Sequence, residues 1–315
     1  MTSMQETVGD YLALRRALGY KLKQDGQLLR DFAARLDAGD VRYLTVEAAA
    51  AWATAPPGVT PYWHSYRLRP VRLFSRYLHA LDHRHEVIPG DLLPGQYTRA
   101  APYIFTAGEV IALMHAARRL SRRLPAATYQ ALIGMLAVTG MRPGEAYALD
   151  RDDVDLDAAA ITITSSKNHT CRQLPLHATT VDALAGYARH RDQLCPHPAG
   201  PSFLVSVRGT RLHPRVAGEV FAGLARSAGL RARSPRTRPV LRSFRHTFAV
   251  STLIGWYQDG ADVDARMPVL SGWLGHAGPR STYWYISADP ALLALAAGRM
   301  ASARRQHPAN WPADP

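Results

Sequence analysis

The sequence predicts a mainly α-helical protein with one small antiparallel β-sheet, divided into a helical N-terminal domain and a larger α+β domain. Its 315 residues exceed the roughly 100 to 200 residues of one typical domain. Apolar residues recur at helical spacing along most of the chain, and alternation appears only between residues 152 and 176. Prolines and glycines interrupt the helical pattern near residue 90. We therefore expect domains over residues 1–95 and 101–315, with a linker at residues 88–104.

Four helical segments are predicted before residue 95. The apolar spacing places them at residues 8–18, 28–36, 45–52 and 61–81. Pro70 lies inside the fourth segment, so we expect it to kink that helix or to divide it in two. The fourth segment also interleaves arginines with aromatic residues, which suits a phosphate backbone but is equally typical of a solvated face above a core stripe. These arginines are Arg67, Arg69, Arg72 and Arg76.

The second domain is predicted to combine helices with one strand hairpin. Ile161, Ile163, Leu174 and Leu176 alternate with polar residues, which predicts a hairpin whose turn is residues 165–170. Helical patterns occupy residues 106–117, 126–139, 180–191, 214–228, 243–257, 263–274, 279–286 and 290–304.

The charge balance indicates a polyanionic partner. The 38 basic and 25 acidic side chains give a net charge of +13 and an isoelectric point near 10.1. Residues 1–100 hold 13 basic and 10 acidic groups, so most of the excess falls in the second domain. In a chain with 47% hydrophobic residues, which builds packed cores, the simplest partner is nucleic acid. Only three of the basic residues are lysine, and such an arginine bias is also typical of codon usage.

Other classes of protein fit the sequence poorly. The longest apolar runs are shorter than the roughly 18 residues that span a bilayer. Residues 1–11 carry acids instead of the basic and apolar regions of a signal peptide. Cys171 and Cys195 alone form neither a disulfide framework nor a four-ligand metal site. We expect a soluble, cytoplasmic protein that associates with the nucleoid when it binds DNA.

The first candidate site is the segment that joins two predicted helices at residues 139–145. Pro143 suits the first position of a helix, and Glu145 lies where a carboxylate favours the helix dipole. Arg142 is then at the helix entrance, close enough to Glu145 for the carboxylate to hold its guanidinium. Such an arginine can grip a phosphate through a bidentate fork, and a purely structural Arg–Glu pair is the alternative.

A second candidate is the arginine-rich segment between residues 231 and 245, which contains no acid. Like charges at this density repel one another unless an anion lies among them. A flexible basic loop would explain the first four arginines. It explains Arg245 poorly, because Arg245 begins an apolar helix and a buried guanidinium needs a partner. The six arginines are Arg231, Arg233, Arg236, Arg238, Arg242 and Arg245.

Three further residues could carry chemistry. Lys167 is the only lysine after residue 23 and lies at the predicted hairpin tip. A lysine can be tuned to donate a proton, which arginine cannot do, although its occurrence here could be chance. His276 lies between two predicted helices, and Tyr285 follows it by nine residues. A tyrosine can attack phosphorus when cations stabilise the phosphate; a capping histidine and a buried tyrosine are the structural alternatives.

In this order and spacing the residues resemble the tyrosine recombinases, the phage-integrase family of site-specific DNA recombinases. Arg142 matches the first catalytic arginine in a Thr-Gly-x-Arg-x-x-Glu setting, and Lys167 matches the hairpin lysine, with Leu-Pro-Leu following. Arg245 matches the second arginine in Arg-His-Thr-Phe, His276 matches the histidine of Leu-Gly-His, and Tyr285 matches the nucleophile. The resemblance implies a core-binding domain of the SAM-like type that binds DNA over residues 1–95 and a catalytic domain over residues 101–315.

The resemblance also implies a reaction. Tyr285 would attack a DNA phosphodiester to give a 3′-phosphotyrosine and a free 5′-hydroxyl, and a second 5′-hydroxyl would reverse the step. Arg142 and Arg245 would bind the phosphate, Lys167 would protonate the leaving oxygen, and His276 would hydrogen-bond the phosphate. No metal, ATP or other cofactor is implied. The expected partner is double-stranded DNA, bound by a homotetramer on two paired sites, with integration and transposition among the family's roles.

One position departs from the family's pattern. The family usually has a histidine three residues before the second arginine, and here that position holds Arg242. An arginine can donate to the phosphate but is a poor base. Two alternatives therefore stay open beside an active recombinase. One is a catalytically impaired DNA-binding homologue, and the other is a topoisomerase-like enzyme that nicks and reseals DNA as a monomer.

Overall fold

The computed structural model describes residues 3–95, 101–165, 170–276, 278, 280–286 and 290–306. The chain divides into two compact units, Met1–Arg99 and Ala100–Pro315. The observed class is the predicted one, mainly helical with a small antiparallel sheet. In the described part, no helix is both long enough and apolar enough to cross a membrane.

The described residues of the first unit form four helices around one apolar core. Ser3, Thr45 and Thr60 cap the helices they precede, since each side chain accepts a hydrogen bond from a backbone N–H in the first turn. Phe32 and Trp52 meet at the centre of the core with their ring centroids 5.0 Å apart. The helices are α1 (Met4–Ala17), α2 (Lys23–Ala38), α3 (Val46–Thr54) and α4 (Pro61–Leu81).

Pro70 does not divide α4, which runs without a break from Pro61 to Leu81. A proline in a helix removes one backbone donor and costs about 3 kcal/mol. Pro70 is buried, and Leu68, Val71 and Phe74 beside it are completely buried. This apolar stripe holds both halves of the helix against the same core, and its burial offsets the cost of the proline.

The linker predicted over residues 88–104 is too long at both ends. Ile88 is buried in the core of the first unit, and its backbone N–H donates to Ser75 Oγ at 3.0 Å. Tyr103 and Phe105 are buried in the core of the second unit. Large apolar side chains at each end of the segment therefore belong to the adjoining unit.

The second unit surrounds a three-stranded sheet with helices. The strands are β1 (Val154–Asp155), β2 (Ala160–Ser165) and β3 (Thr170–Pro175), antiparallel in that order. Ile161 is opposite Leu174, and Ile163 is opposite Arg172. The strand pairing of the predicted hairpin is thus confirmed, with β1 as an added edge strand, while residues 166–169 of its predicted turn lie outside the described residues. The helices are α5 (Ala107–Arg118), α6 (Arg123–Thr139), α7 (Pro143–Ala148), α8 (Ala178–Leu194), α9 (Pro214–Ser227), α10 (Ser243–Gln258), α11 (Val263–Leu274), α12 (Arg280–Tyr283) and α13 (Pro290–Gln306).

Helix α10 connects two apolar clusters of this unit. Phe244 belongs to the larger cluster, which also contains the sheet and helices α5, α6 and α9. Val250 and Leu253, further along α10, belong to a smaller cluster with α11 and Tyr285. Arg245 follows Phe244 directly, so the fold places a charged side chain where the two clusters meet.

Candidate active site

The site forms where the ends of α6 and α11 meet the start of α7. Gly140 ends α6 with a φ of +61°, and Gly275 ends α11 with a φ of +65°. Both lie in the left-handed region that glycine adopts without strain. Arg142, which precedes α7, donates through Nη2 to the Gly275 carbonyl at 3.1 Å. Two helix ends distant in sequence are therefore joined at a guanidinium that is 45% exposed.

Glu145 holds Arg142 from the first turn of α7. Its carboxylate accepts from the Arg142 backbone N–H at 2.8 Å and from Arg142 Nη1 at 2.7 Å. Burial would raise the pKa of Glu145, but hydrogen bonds from Arg172 and Arg142 outweigh it and hold the pKa below its usual value. Glu145 is therefore ionised at neutral pH, and the predicted Arg142–Glu145 pair is present in the structure.

The side chain of Arg245 is buried, and its guanidinium donates hydrogen bonds to two backbone carbonyls. Nη1 donates to the Gly140 carbonyl at 3.1 Å, and Nη2 donates to the Leu274 carbonyl at 2.6 Å. It forms no salt bridge with any described carboxylate. Burial and the nearby charge of Arg142 lower the pKa of Arg245 to about 10, against opposing contributions from Tyr285 and from the carboxylate of Glu145. Such a site favours an anion, because an anion would balance the buried charge.

Tyr285 lies beside Arg245 in the smaller apolar cluster and is only 3% exposed. Its ring stacks on His276, with centroids 6.2 Å apart, and also contacts His246 and Trp284. The Nδ1 atom of His276 lies 2.7 Å from Thr282 Oγ1, which fixes the orientation of the imidazole. The structure thus brings together four predicted residues, Arg142, Arg245, His276 and Tyr285.

The helix predicted over residues 279–286 is shorter in the structure, because α12 ends at Tyr283. Tyr285 lies in the turn that follows, where its backbone N–H donates to the Thr282 carbonyl at 3.0 Å. Tyr283 faces away, is 42% exposed and donates to Asp264 Oδ1 at 3.1 Å. Burial therefore distinguishes Tyr285 from its neighbour.

The other two predicted catalytic residues are Arg242 and Lys167. Arg242 is exposed at the position that precedes α10, and its backbone carbonyl accepts from the Arg245 N–H at 3.2 Å. Lys167 lies outside the described residues.

The arginine-rich loop before α10 is held by specific hydrogen bonds. Thr237 Oγ1 donates to the Ala101 carbonyl at 2.9 Å, and Arg233 donates to the Ile104 carbonyl at 3.2 Å while lying over the Tyr103 ring. The loop is therefore built onto the segment before α5. The four arginines predicted to bind DNA here are exposed: Arg231, Arg233, Arg236 and Arg238.

The four arginines of α4 divide into two pairs. Arg67 lies over the Trp52 ring, 4.0 Å from its centroid, and donates to the Trp52 carbonyl. Arg72 donates to the carbonyls of Pro89 and Leu92. Arg67 and Arg72 are half-buried, whereas Arg69 and Arg76 are exposed, with Arg69 forming a salt bridge to Asp25 at 3.5 Å. Exposure therefore separates Arg69 and Arg76 from the other two arginines.

Two residues that the sequence analysis missed also build the site. Arg172 on β3 binds Glu145 through both Nη atoms. Trp273 donates from Nε1 to the Thr139 carbonyl at 2.8 Å and stacks on Phe248. A signal for Arg172 was present, because in a strand it points to the same face as Leu174, where a charged residue needs a buried partner.

Comparison with known proteins decides the family. The model of the phage integrase family matches residues 104–291. The chain belongs to the phage integrase family. Within this family, it is 38% identical over 306 residues to a protein of Sinorhizobium fredii with the provisional name integrase/recombinase y4rB. The match covers 95% of this chain and 98% of that protein.

Solved structures of this family share the fold at low sequence identity. A crystal structure of the XerH site-specific recombinase bound to a palindromic difH substrate superposes with a TM-score of 0.67 at 16% identity, covering 86% of this chain and 77% of that one. A lambda integrase tetramer bound to a Holliday junction gives a TM-score of 0.60 at 16% identity, covering 90% and 77%. At such identities the likeness establishes the fold alone.

Proposed function

We propose that this member of the phage integrase family is a site-specific DNA recombinase of the integrase or transposase type. It cleaves and rejoins DNA through a 3′-phosphotyrosine on Tyr285. The observation that carries the proposal is the placement of the buried phenol of Tyr285 near the buried guanidinium of Arg245, with which it interacts electrostatically. This guanidinium donates to two backbone carbonyls and forms no salt bridge with a described carboxylate. A DNA phosphate bound there would balance the charge of Arg245 and lie beside the nucleophile.

The reaction is an exchange of phosphodiester bonds. The phenolic oxygen of Tyr285 attacks phosphorus, the bond to the 5′-oxygen breaks, and that oxygen leaves as a hydroxyl after gaining a proton. A 5′-hydroxyl from the second duplex then attacks the phosphotyrosine and releases Tyr285. Because each step forms one phosphate ester bond as it breaks another, bond energy is conserved and the reaction needs no ATP.

The side chains around Tyr285 have distinct roles in this proposal. Arg142 and Arg245 donate to the non-bridging oxygens and stabilise the charge that develops on them in the transition state. His276, oriented by Thr282, hydrogen-bonds the same phosphate. Lys167 donates the proton to the leaving 5′-oxygen. Arg242 adds a further donor toward the phosphate in place of the family's usual histidine.

The partner is double-stranded DNA, which the two units bind as a core-binding domain and a catalytic domain. The exposed arginines Arg69 and Arg76 contact the phosphate backbone from the first unit, and the loop at residues 231–238 does so from the second. Four copies act together on two paired sites. This assembly is supported by the solved lambda integrase tetramer, whose fold the chain shares.

A trapping experiment tests the proposal. Wild-type protein and Tyr285→Phe are incubated with nicked suicide substrates made from the DNA that flanks the gene, and denaturing gels report protein attached to DNA. We expect an adduct with wild type and none with Tyr285→Phe, because phenylalanine keeps the ring contacts and lacks the nucleophile. A substrate that carries a 3′ label at the nick shows on which side the protein is attached.

Two other outcomes would change the proposal. If wild type binds these substrates but forms no adduct, Arg242→His is the next variant. An adduct with Arg242→His alone identifies the wild-type chain as an impaired DNA-binding homologue. Relaxation of any supercoiled plasmid without a particular site would instead identify a topoisomerase-like enzyme.

A further inference from the structure

Arg172 forms hydrogen bonds to two residues that build the site, Glu145 and Trp273. It lies on β3, and its side chain is only 13% exposed. Its Nη1 and Nη2 atoms donate to the two oxygens of Glu145 at 3.3 and 2.7 Å. Its Nε atom donates to the Trp273 carbonyl at 2.8 Å. One planar group therefore fixes a carboxylate at the start of α7 and a carbonyl near the end of α11.

Glu145 is shared between two arginines. The same carboxylate that receives the Arg172 fork also accepts from Arg142 through its backbone N–H and Nη1. Both side chains of the Arg172–Glu145 pair are 13% exposed, whereas Arg142 is 45% exposed. One carboxylate between two guanidiniums leaves a positive charge unbalanced, and the geometry leaves it on the outward arginine, where a phosphate can reach it.

The turn after α11 closes tightly over Arg172. A side chain at Gly275 would place its Cβ 2.6 Å from Arg172 Nη1. The carbonyl of the same glycine accepts from Arg142 Nη2 at 3.1 Å. The next residue is His276, so the turn that carries this histidine rests on Arg172 and is tied to Arg142.

We propose that Arg172 is a positioning residue, which acts through Glu145 to hold the Arg142 guanidinium in the geometry required for phosphate cleavage. The inference rests on the proposed function, because it assigns Arg142 to the reacting phosphate. Its physical basis is that Glu145 alone fixes only one side of Arg142, and a carboxylate that rotated would move the guanidinium with it. A displacement of about 1 Å at a reacting group can cost about 100-fold in rate.

The test compares Arg172→Met with a matched variant, Arg191→Met. Arg191 is also buried, binds both oxygens of one carboxylate, Asp192, and donates to one carbonyl, Phe203, but contacts none of the site residues. Cleavage of the suicide substrate is measured in single turnover at saturating protein, and DNA affinity and thermal unfolding are measured separately. We expect Arg172→Met to lower the cleavage rate by about 30- to 100-fold with DNA affinity nearly unchanged. Arg191→Met should lower the melting temperature and leave the rate near that of wild type.

A methylphosphonate at the scissile position separates positioning from general loss of structure. Replacing one non-bridging oxygen by methyl removes the charge that Arg142 stabilises. If Arg172 acts through Arg142, the deficit of Arg172→Met relative to wild type shrinks at least several-fold on this substrate. Arg172→Lys should resemble Arg172→Met on the natural phosphate, because an ammonium cannot form the bidentate fork.

The outcomes distinguish this inference from the proposed function. If wild type forms no adduct with Tyr285, the proposed function fails and the inference fails with it. If wild type forms the adduct and Arg172→Met cleaves as fast as wild type, only the inference is overturned. It is also overturned if the deficit of Arg172→Met is the same on phosphate and methylphosphonate, or if Arg191→Met loses as much rate for the same loss of stability.

Discussion

Two buried arginines of the second unit differ in what balances their charge. Arg191, at the end of α8, is paired with Asp192 through Nε and Nη2, and its Nη1 donates to the Phe203 carbonyl. Arg245, at the start of α10, donates to the carbonyls of Gly140 and Leu274 and forms no salt bridge in the described part of the chain. Both are at most 4% exposed. The charge of Arg191 is balanced by a carboxylate within the fold, whereas no described carboxylate forms a salt bridge with Arg245.

Under the proposed function, this difference separates a structural arginine from one that binds the reacting phosphate. Burial of a guanidinium is costly, and a fold that keeps one without a carboxylate gives up stability unless a ligand provides the charge. Arg172 belongs with Arg191 in this respect, because Glu145 balances it. We therefore expect a different response to substitution of each arginine. Loss of Arg245 should lower the cleavage rate, and loss of Arg191 should lower the stability of the fold. Loss of Arg172 should lower the cleavage rate through its effect on Arg142.

The largest expected effect is on cleavage. Arg245→Met should lower the single-turnover cleavage rate by about 10²- to 10³-fold, because it removes a donor to the charge that develops on the phosphate. Arg191→Met should lower the free energy of unfolding by about 1 to 3 kcal/mol and leave cleavage intact. Chemical denaturation and suicide-substrate kinetics on both variants check the comparison. The comparison would be wrong if Arg245→Met lowered the free energy of unfolding more than Arg191→Met does and still cleaved DNA at the wild-type rate.

Much of this architecture could be predicted from the sequence, because the signals were local. Each signal depends on only a few neighbouring residues. Helices begin at the caps Thr45 and Thr106, and a helix ends at the left-handed Gly275. The alternation around Ile161 marks a strand. The same holds for the pair of Arg142 and Glu145, three residues apart on one turn. Local geometry was sufficient to predict a contact wherever both partners belong to the same element.

The contacts that could not be predicted join residues far apart in the chain. Arg172 reaches Glu145 across 27 residues, and Trp273 reaches Thr139 across 134. Arg67 and Arg72 looked identical to Arg69 and Arg76 in the sequence, and only the packing of α4 against Trp52 and the segment after it separates them. Hydrophobic periodicity identifies which face of a helix is buried, but not which guanidinium finds a carbonyl there.

A smaller effect is expected at the turn over Arg172. Gly275→Ala should lower cleavage by about 10-fold, since the new Cβ displaces the Arg172 guanidinium, and should cost about 1 to 2 kcal/mol from backbone strain. Gly229→Ala is the matched control, with a φ of +76° and nothing within 4 Å of the added Cβ. It should lose stability for the same backbone reason and keep its cleavage rate. Equal loss of rate in both variants would assign the effect to strain alone.

An added anion should stabilise the protein through Arg245. Inorganic phosphate at about ten times its dissociation constant would raise the free energy of unfolding by about 1.4 kcal/mol. We expect a rise in melting temperature for wild type and Arg191→Met, and a smaller rise for Arg245→Met. Chloride at equal ionic strength controls for screening. If Arg245→Met gains as much as wild type, the phosphate binds elsewhere and Arg245 is not the anion site.

The smallest effect concerns the pH dependence of the two arginine-bound carboxylates. Hydrogen bonds from arginines lower the pKa of Glu145 and that of Asp192. A lowered pKa in the folded state gives stability that is present above the unfolded pKa and is lost as the pH falls through the folded pKa. The advantage of wild type over Glu145→Gln should therefore shrink as denaturation is measured from pH 6 down to about pH 3.

Asp192→Asn sharpens this comparison because Asp192 is 45% exposed, whereas Glu145 is 13% exposed. Water screens the exposed pair, so its contribution and its change with pH should be smaller than those of Glu145. A larger pH-dependent loss for Asp192→Asn would mean that exposure does not rank these carboxylates. In that case the shielding of Glu145 by β3 and the turn after α11 would contribute little to the strength of its bonds with Arg142 and Arg172.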